Sequence, residues 1–285
     1  MYAAISRSEP PINLQRLQRL QGAAKVSFSG PDSRLTDLYQ ANPCRVLLPR
    51  RPGGQVEAVL LNTAGGITDG DQLNYAVSAT DGAVVAATTQ AAEKVYRSRG
   101  GDSRVGCQLN VSGGAFLEWL PQETILFDGA ALARKTDIEI DESSKLIALD
   151  WLVLGRLASG ERLTNAAVHD RWRVRRDGKL IWADDFRLRG DIEALRQRPS
   201  LLDGAKAMAT MIYVGANAAD HVEPVREFFK QTICRAGVST RPGLLICRFL
   251  GRDPMDLRRD VENFLLAFRA ALHGRPCPLP RVWAC

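Results

Sequence analysis

The chain has 285 residues, 45% hydrophobic and 25% charged, the balance of a folded globular protein that can bury most of its unfolded surface without disulfide or metal staples. Its 24 glycines and 14 prolines exclude collagen-like and low-complexity chains. The formal charge of +6 comes with no zinc finger, RNP aromatic motif or long basic run, so it reads as solubility and no nucleic-acid partner is expected.

Arg7, Glu9, Arg16 and Arg19 interrupt the first residues, which excludes a secretory h-region, and no run of about twenty apolar residues marks a membrane span. A cytoplasmic location is expected. Leu14, Leu17 and Leu20 recur at helical spacing for barely two turns before Gly22, and residues 1–22 are expected to form a flexible segment. From Lys25 to Ser29 polar and apolar residues alternate, the pattern of a strand. Further short strands are predicted at 45–48, 56–62, 72–78, 83–89, 104–111, 115–120, 136–140, 145–153 and 244–250. Gly113-Gly114 separates two of them, and Asp177-Gly178 divides 171–176 from 179–184 as a hairpin signal.

Helix is predicted late. Val222, Val225, Phe229 and Ile233 mark a helix over 221–234 with Asp220 as cap. Asp253-Pro254 opens a stronger one that carries Leu257, Val261, Phe264, Leu265, Phe268 and Leu272 on one face until Gly274. Pro276, Pro278 and Pro280 predict an extended tail over 275–285. The fold class is therefore mainly β: a large antiparallel body of stacked or rolled sheets, with two α-helices in the C-terminal third, as one domain over 1–285. The six cysteines lack CxxC spacing, so free thiols are expected, Cys277 and Cys285 inviting a metal reading only weakly.

Three segments bury polar residues in strand-like sequence. Residues 62–71, NTAGGITDGD, combine three glycines with Asp69 and Asp71, which by residue type alone favours a structural turn. Residues 88–98, TTQAAEKVYRS, hold Glu93 and Lys94, a pair most simply read as solvated. Residues 117–130, LEWLPQETILFDGA, set Glu118 opposite Leu117 and Trp119, as Asp150 stands opposite Leu149 and Trp151; those faces meet water or line an internal polar cavity, and periodicity leaves both open. The three histidines have no GxSxG, HExxH or deaminase context, so catalytic residues are not expected.

In this order and spacing the three segments, with SKLIALDWLVLGR and the closing PLPRVW, strongly resemble the urease accessory protein UreD (UreH) family. The resemblance implies a non-catalytic urease maturation factor and chaperone, mainly β with two helices. It implies binding to apo-urease and UreF, with UreG recruited through UreF; dimerisation within that complex stays open. It also implies no tightly bound cofactor but transient nickel(II), carried through an internal hydrated acidic passage. Matched to the family motifs, Asp71, Asp150 and Asp184 fall at passage acids, with Asp185 adjacent to the last, and Glu93 and Glu118 join them. Gly65, Gly66, Gly70, Lys94, Tyr96, Arg97, Gln122 and Glu123 are the remaining motif positions. Oxygen donors suit transit of nickel, which N and S donors hold tightly. An adaptor without metal transfer, and a carboxylate-based hydrolase, are the rival readings.

Overall fold

The computed structural model describes residues 19–49, 54–156 and 159–284. The helical turn predicted at Leu14 and Leu17 lies outside those residues, as do Cys285 and most of the segment expected to be flexible; Gln21 and Gly22 already belong to a strand. The strands are β1 (Gln21–Ser29), β2 (Arg34–Ala41), β3 (Cys44–Leu47), β4 (Val56–Asn62), β5 (Gln72–Thr80), β6 (Val84–Thr89), β7 (Glu93–Val95), β8 (Ser103–Val111) and β9 (Phe116–Leu120). They continue with β10 (Thr124–Leu126), β11 (Ala131–Ile140), β12 (Lys145–Leu154), β13 (Asn165–Arg176), β14 (Lys179–Asp191), β15 (Ala207–Val214), β16 (Arg235–Arg241) and β17 (Leu244–Gly251). The helices are α1 (Ile192–Arg196), α2 (Val222–Phe229) and α3 (Pro254–His273). Among the described residues no helix is long and apolar enough to cross a membrane.

The chain is mainly β, and its described residues form two sheets. One has seven strands in the order β14-β13-β11-β8-β5-β1-β2; the other has ten, ordered β16-β17-β15-β12-β9-β6-β4-β3, with β10 pairing with β12 and with β7. The expected antiparallel body is corrected in one respect: its centre is parallel. β5, β8, β11 and β13 run parallel in the first sheet, and β4, β6, β9 and β12 in the second. Antiparallel pairing is left to the flanks. The reason is that most short turns arch from one sheet to the other, where a hairpin would fold a strand back on its neighbour. Gly113-Gly114, both at positive φ, leads from β8 in the first sheet to β9 in the second. Successive arches stack as coils of a solenoid, Gly82 N–H donating to Gly113 O at 2.8 Å and Gly113 N–H to Asp141 Oδ2 at 2.6 Å. Asp177-Gly178, with φ of 50° and 76°, does close the predicted hairpin between β13 and β14.

Because β12 and β9 sit in the middle of a three-layer stack, both of their faces are buried. Inward side chains such as Leu117, Leu146 and Ala148 join Val77, Leu109, Ile138 and Val174 of the first sheet in one core. Outward ones such as Leu120, Ile147 and Trp151 pack under α2 and α3 against Val225, Val261, Phe264 and Phe268. α3 has the boundaries its sequence predicts: Asp253 Oδ1 accepts from Met255 N–H at 2.7 Å, and Gly274 takes the left-handed C-terminal position at φ 64°. α2 is shorter than predicted. Residues Ala218–His221 form a 3-10 turn that places Asp220 inside it, the helix stops at Phe229, and Ile233 is exposed. The tail ends in a 3-10 turn over Arg281–Ala284 that buries Trp283, stacked on Trp151 at 5.6 Å, its indole N–H donating to Thr88 Oγ1 at 3.0 Å.

Candidate functional site

A cavity of about 370 Å³ lies between the sheets where the β5, β8 and β11 side chains Tyr75, Cys107 and Arg134 face Trp119 and Asp150 of β9 and β12. Glu93 and Asn62 line its loop side, beside Gly65 and Gly66. Two predicted acids, Glu93 and Asp150, therefore share one internal space. Glu93 accepts from Asn62 Nδ2 at 3.1 and 3.3 Å, and burial pushes its carboxyl up to about 7 against those bonds. Asp150 accepts Trp151 N–H at 2.8 Å and touches the Arg134 guanidinium, which also donates to both oxygens of Asp170 at 3.2 and 2.8 Å. Burial, and next to it the negative charge of Asp170, holds the Asp150 carboxyl well above the usual carboxylate range although Arg134 pulls the other way. Burial opposes the charge of Arg134 too, but the two carboxylates outweigh it and raise its pKa. Cys107 is kept a thiol by burial, so any metal that used its sulfur would first have to expel a proton.

Glu118 is elsewhere. It faces the helix layer, fully buried, where Arg269 Nε and the Arg269 terminal nitrogen donate to its two oxygens at 2.8 and 2.9 Å. Gln55 Nε2 donates at 2.8 Å and His273 Nε2 lies 3.1 Å away. Burial alone would raise its pKa; the hydrogen bonds of His273 and Arg269, and the charge of Arg269, bring it down to about 2. Arg269 also donates to the carbonyls of Cys277 and Pro278, so this acid ties α3 and the tail to the sheet.

Asp71 is buried in its turn, accepting Leu20 N–H and Thr68 N–H, each at 2.8 Å, the structural role its residue type suggested. Asp184 sits half-buried on β14, paired with Arg248 of β17 at 2.8 Å, while the adjacent, more exposed Asp185 pairs with His169, Arg173 and Arg187. Of the three acids expected along a single passage, Asp150 lines the cavity and Asp71 and Asp184 do not: Asp184 shares the inward face of β14 with Trp182 and Leu188 but lies on the edge strand against Arg248, and Asp71 spends its oxygens on backbone amides. The other motif residues frame the cavity mouth and the helix seam. Tyr96 closes on the glycine loop, its hydroxyl donating to Gly65 O at 3.1 Å, and any Cβ at Gly66 would lie 2.3 Å from the Tyr96 ring. Gly70 turns against Arg19, Arg97 pairs with Asp128 at 2.6 Å, and Lys94 is exposed. Gln122 Nε2 donates to Val282 O, and Glu123 receives Arg258 of α3 at 3.1 Å.

The residues that the motifs leave out are the cations and one acid. Arg134 shares its strand face with Leu132, Thr136, Ile138 and Ile140, Asp170 shares one with Val168, Trp172 and Val174, and Arg269 follows Leu265 by one helical turn. A charge in phase with an apolar face was the available signal. Among the described residues no three His, Cys, Asp or Glu side chains converge as a metal-binding group.

The family model described as "UreD urease accessory protein" matches residues 20–284. The urease accessory protein UreD of Xanthobacter autotrophicus is 44% identical over 269 residues, covering 94% of this chain and 91% of that one. The protein of the same name from Magnetococcus marinus is 41% identical, covering 93% and 94%. That of Azorhizobium caulinodans is 39% identical, covering 94% and 98%. Likeness at this level along nearly the whole length places the chain in the UreD family of urease accessory proteins, with a role in urease maturation.

Proposed function

We propose that this chain matures urease as a non-catalytic scaffold in the cytoplasm, binding apo-urease and UreF, with UreG reached through UreF, and that it helps pass nickel(II) to the urease active site through the cavity at Glu93 and Asp150. The observation that carries the nickel step is the pairing of room with an acid whose burial outweighs its hydrogen bonds. A space of about 370 Å³ holds several water molecules, and a carboxyl pushed up to about 7 exchanges its proton for a cation near neutral pH. A divalent ion there meets oxygen donors and the protonated thiol of Cys107, a set that lowers the cost of desolvation without the tight grip of thiolate and imidazole. Arg134, held beside Asp150, opposes long residence of a second cation. Nickel in this scheme is cargo.

The test is Glu93→Gln in cells that co-express urease and its other accessory proteins. Urease should be isolated with several-fold less nickel, while apo-urease and UreF still co-purify with the variant. Full nickel loading would remove the cavity from the route and leave the adaptor reading.

A further inference from the structure

The outer face of the seven-stranded sheet carries charge that neither the cavity nor the helix seam uses. Ala23, Asn74, Gly106, Lys135 and Arg171 stand opposite one another on β1, β5, β8, β11 and β13, a single row across five adjacent strands. Strand alternation turns this row away from Tyr75, Cys107 and Arg134, whose side chains face the interior. The first three members are small, and the Asn74 carboxamide lies over Gly106, where a Cβ would come within 2.6 Å of its oxygen. The result is a trough: two concavities of about 370 and 350 Å³ share Asn74, Gly106 and Lys135.

The charges around the trough do not cancel. Lys135 is matched by Asp137 and His169 by Asp185, but Arg104 and Arg171, which line one end, have no acidic partner among the described residues. They stand on strands two apart, β8 and β13 with β11 between them, a spacing that suits two carboxylates on one chain better than a single small oxyanion. Five strands about 4.8 Å apart make a row about 19 Å long, the reach of about six extended residues. A guanidinium binds a carboxylate through two parallel hydrogen bonds, and two unpaired cations are few for a duplex or single strand, whose affinity grows with each phosphate neutralised.

We infer that this trough docks an extended acidic segment of a partner protein, with its carboxylates on Arg104 and Arg171 and its backbone lying over Ala23, Asn74 and Gly106. The site is independent of the nickel route, and its failure would leave that route untouched.

The probe is a fluorescently labelled decaglutamate peptide titrated into the full chain at low salt and followed by anisotropy. Saturable binding is expected, weakened at least tenfold by Arg104→Glu with Arg171→Glu, weakened less by the double glutamine variant, and unchanged by Arg226→Glu with Lys230→Glu at the exposed C-terminal end of α2. Thermal unfolding of each variant establishes that it is folded. Absence of saturable binding, an equal loss in the α2 variant, or insensitivity to the Arg104 and Arg171 changes would overturn the inference. So would full competition by millimolar inorganic phosphate, or tighter trough-dependent binding of a single-stranded oligonucleotide, each of which assigns the surface to another ligand.

Discussion

Glu118 and Asp150 are acids set into apolar runs on neighbouring strands of one sheet, and they face opposite ways. On the helix side, Glu118 is fully buried with a bidentate guanidinium, an amide and an imidazole around it, and its pKa falls to about 2. On the cavity side, Asp150 and Glu93 have fewer donors and open volume beside them, and burial raises both. Burial of a carboxylate thus has two outcomes. A complete set of partners makes it a structural fastening, whereas an incomplete set beside a cavity leaves a group whose charge waits for a ligand. Strand direction chooses between them, because alternate residues of β9 and β12 face a helix layer or the space between sheets.

The sharpest way to break this contrast is to remove one partner of the fastening. Glu118→Ala leaves the Arg269 guanidinium buried without its counter-charge and should lower the free energy of unfolding by about 3–5 kcal/mol in denaturant titration. A loss under 1 kcal/mol would mean that Glu118 is not what holds α3 and the tail. Glu118 and Glu93 should also respond to pH in opposite senses. The stabilisation from Glu118 is present above its unfolded pKa near 4.5 and fades as pH falls toward 2. Glu93 binds its proton more tightly folded than unfolded, so stability declines as pH rises from about 4.5 to 7 and then levels. A shift of that size is worth on the order of 3 kcal/mol. Glu93→Gln should flatten the decline and leave the variant the more stable protein at pH 8; an unaltered pH profile would place Glu93 in contact with solvent.

Much of the architecture could be read from residue order. The alternation of β1, the Asp177-Gly178 hairpin, and the cap, stripe and terminating glycine of α3 are local signals, and the folded chain follows them. What local signals omit is where a turn sends the chain. Gly113-Gly114 has the chemistry of a hairpin and forms an arch, because its flanking strands find better partners in the coils above and below. β2, β7, β10, β15 and β16 escaped prediction, and β15 shows why: AMATMIYV is apolar on both faces, so it lacks the alternation that marks a half-exposed strand. In the candidate site, the motifs brought Glu93 and Asp150 to attention but could not separate them from Glu118, Asp71 and Asp184, since the number of hydrogen-bond donors around a carboxylate is set by residues distant in sequence: Arg269 is 151 positions from Glu118.

Asp71 is an intermediate case, an acid whose partners are backbone amides. Asp71→Ala strands the N–H groups of Leu20 and Thr68 and should cost about 1–3 kcal/mol, read as a drop of several degrees in the unfolding midpoint. If nickel transfer were lost with no change in that midpoint, the residue would belong with the cavity acids and not with the fastenings.

The smallest effect is expected at Asp184, a half-buried acid on the edge strand of its sheet. Its partner Arg248 is itself more than half exposed, and a solvated pair of that kind contributes at most about 1 kcal/mol, less in salt. Asp184→Asn should therefore leave the unfolding midpoint nearly unchanged at 0.5 M salt and leave urease nickel content at the wild-type level. Asp184 shares the inward face of β14 with Trp182 and Leu188, but β14 is an edge strand two places from β11, the nearest strand of this sheet that lines the cavity, and the adjacent Asp185 is already shared among His169, Arg173 and Arg187. A large loss of nickel in the Asp184 variant, with the fold intact, would show that the ion travels past this sheet edge, and the contrast between Glu93 and Glu118 would then have no bearing on how it moves.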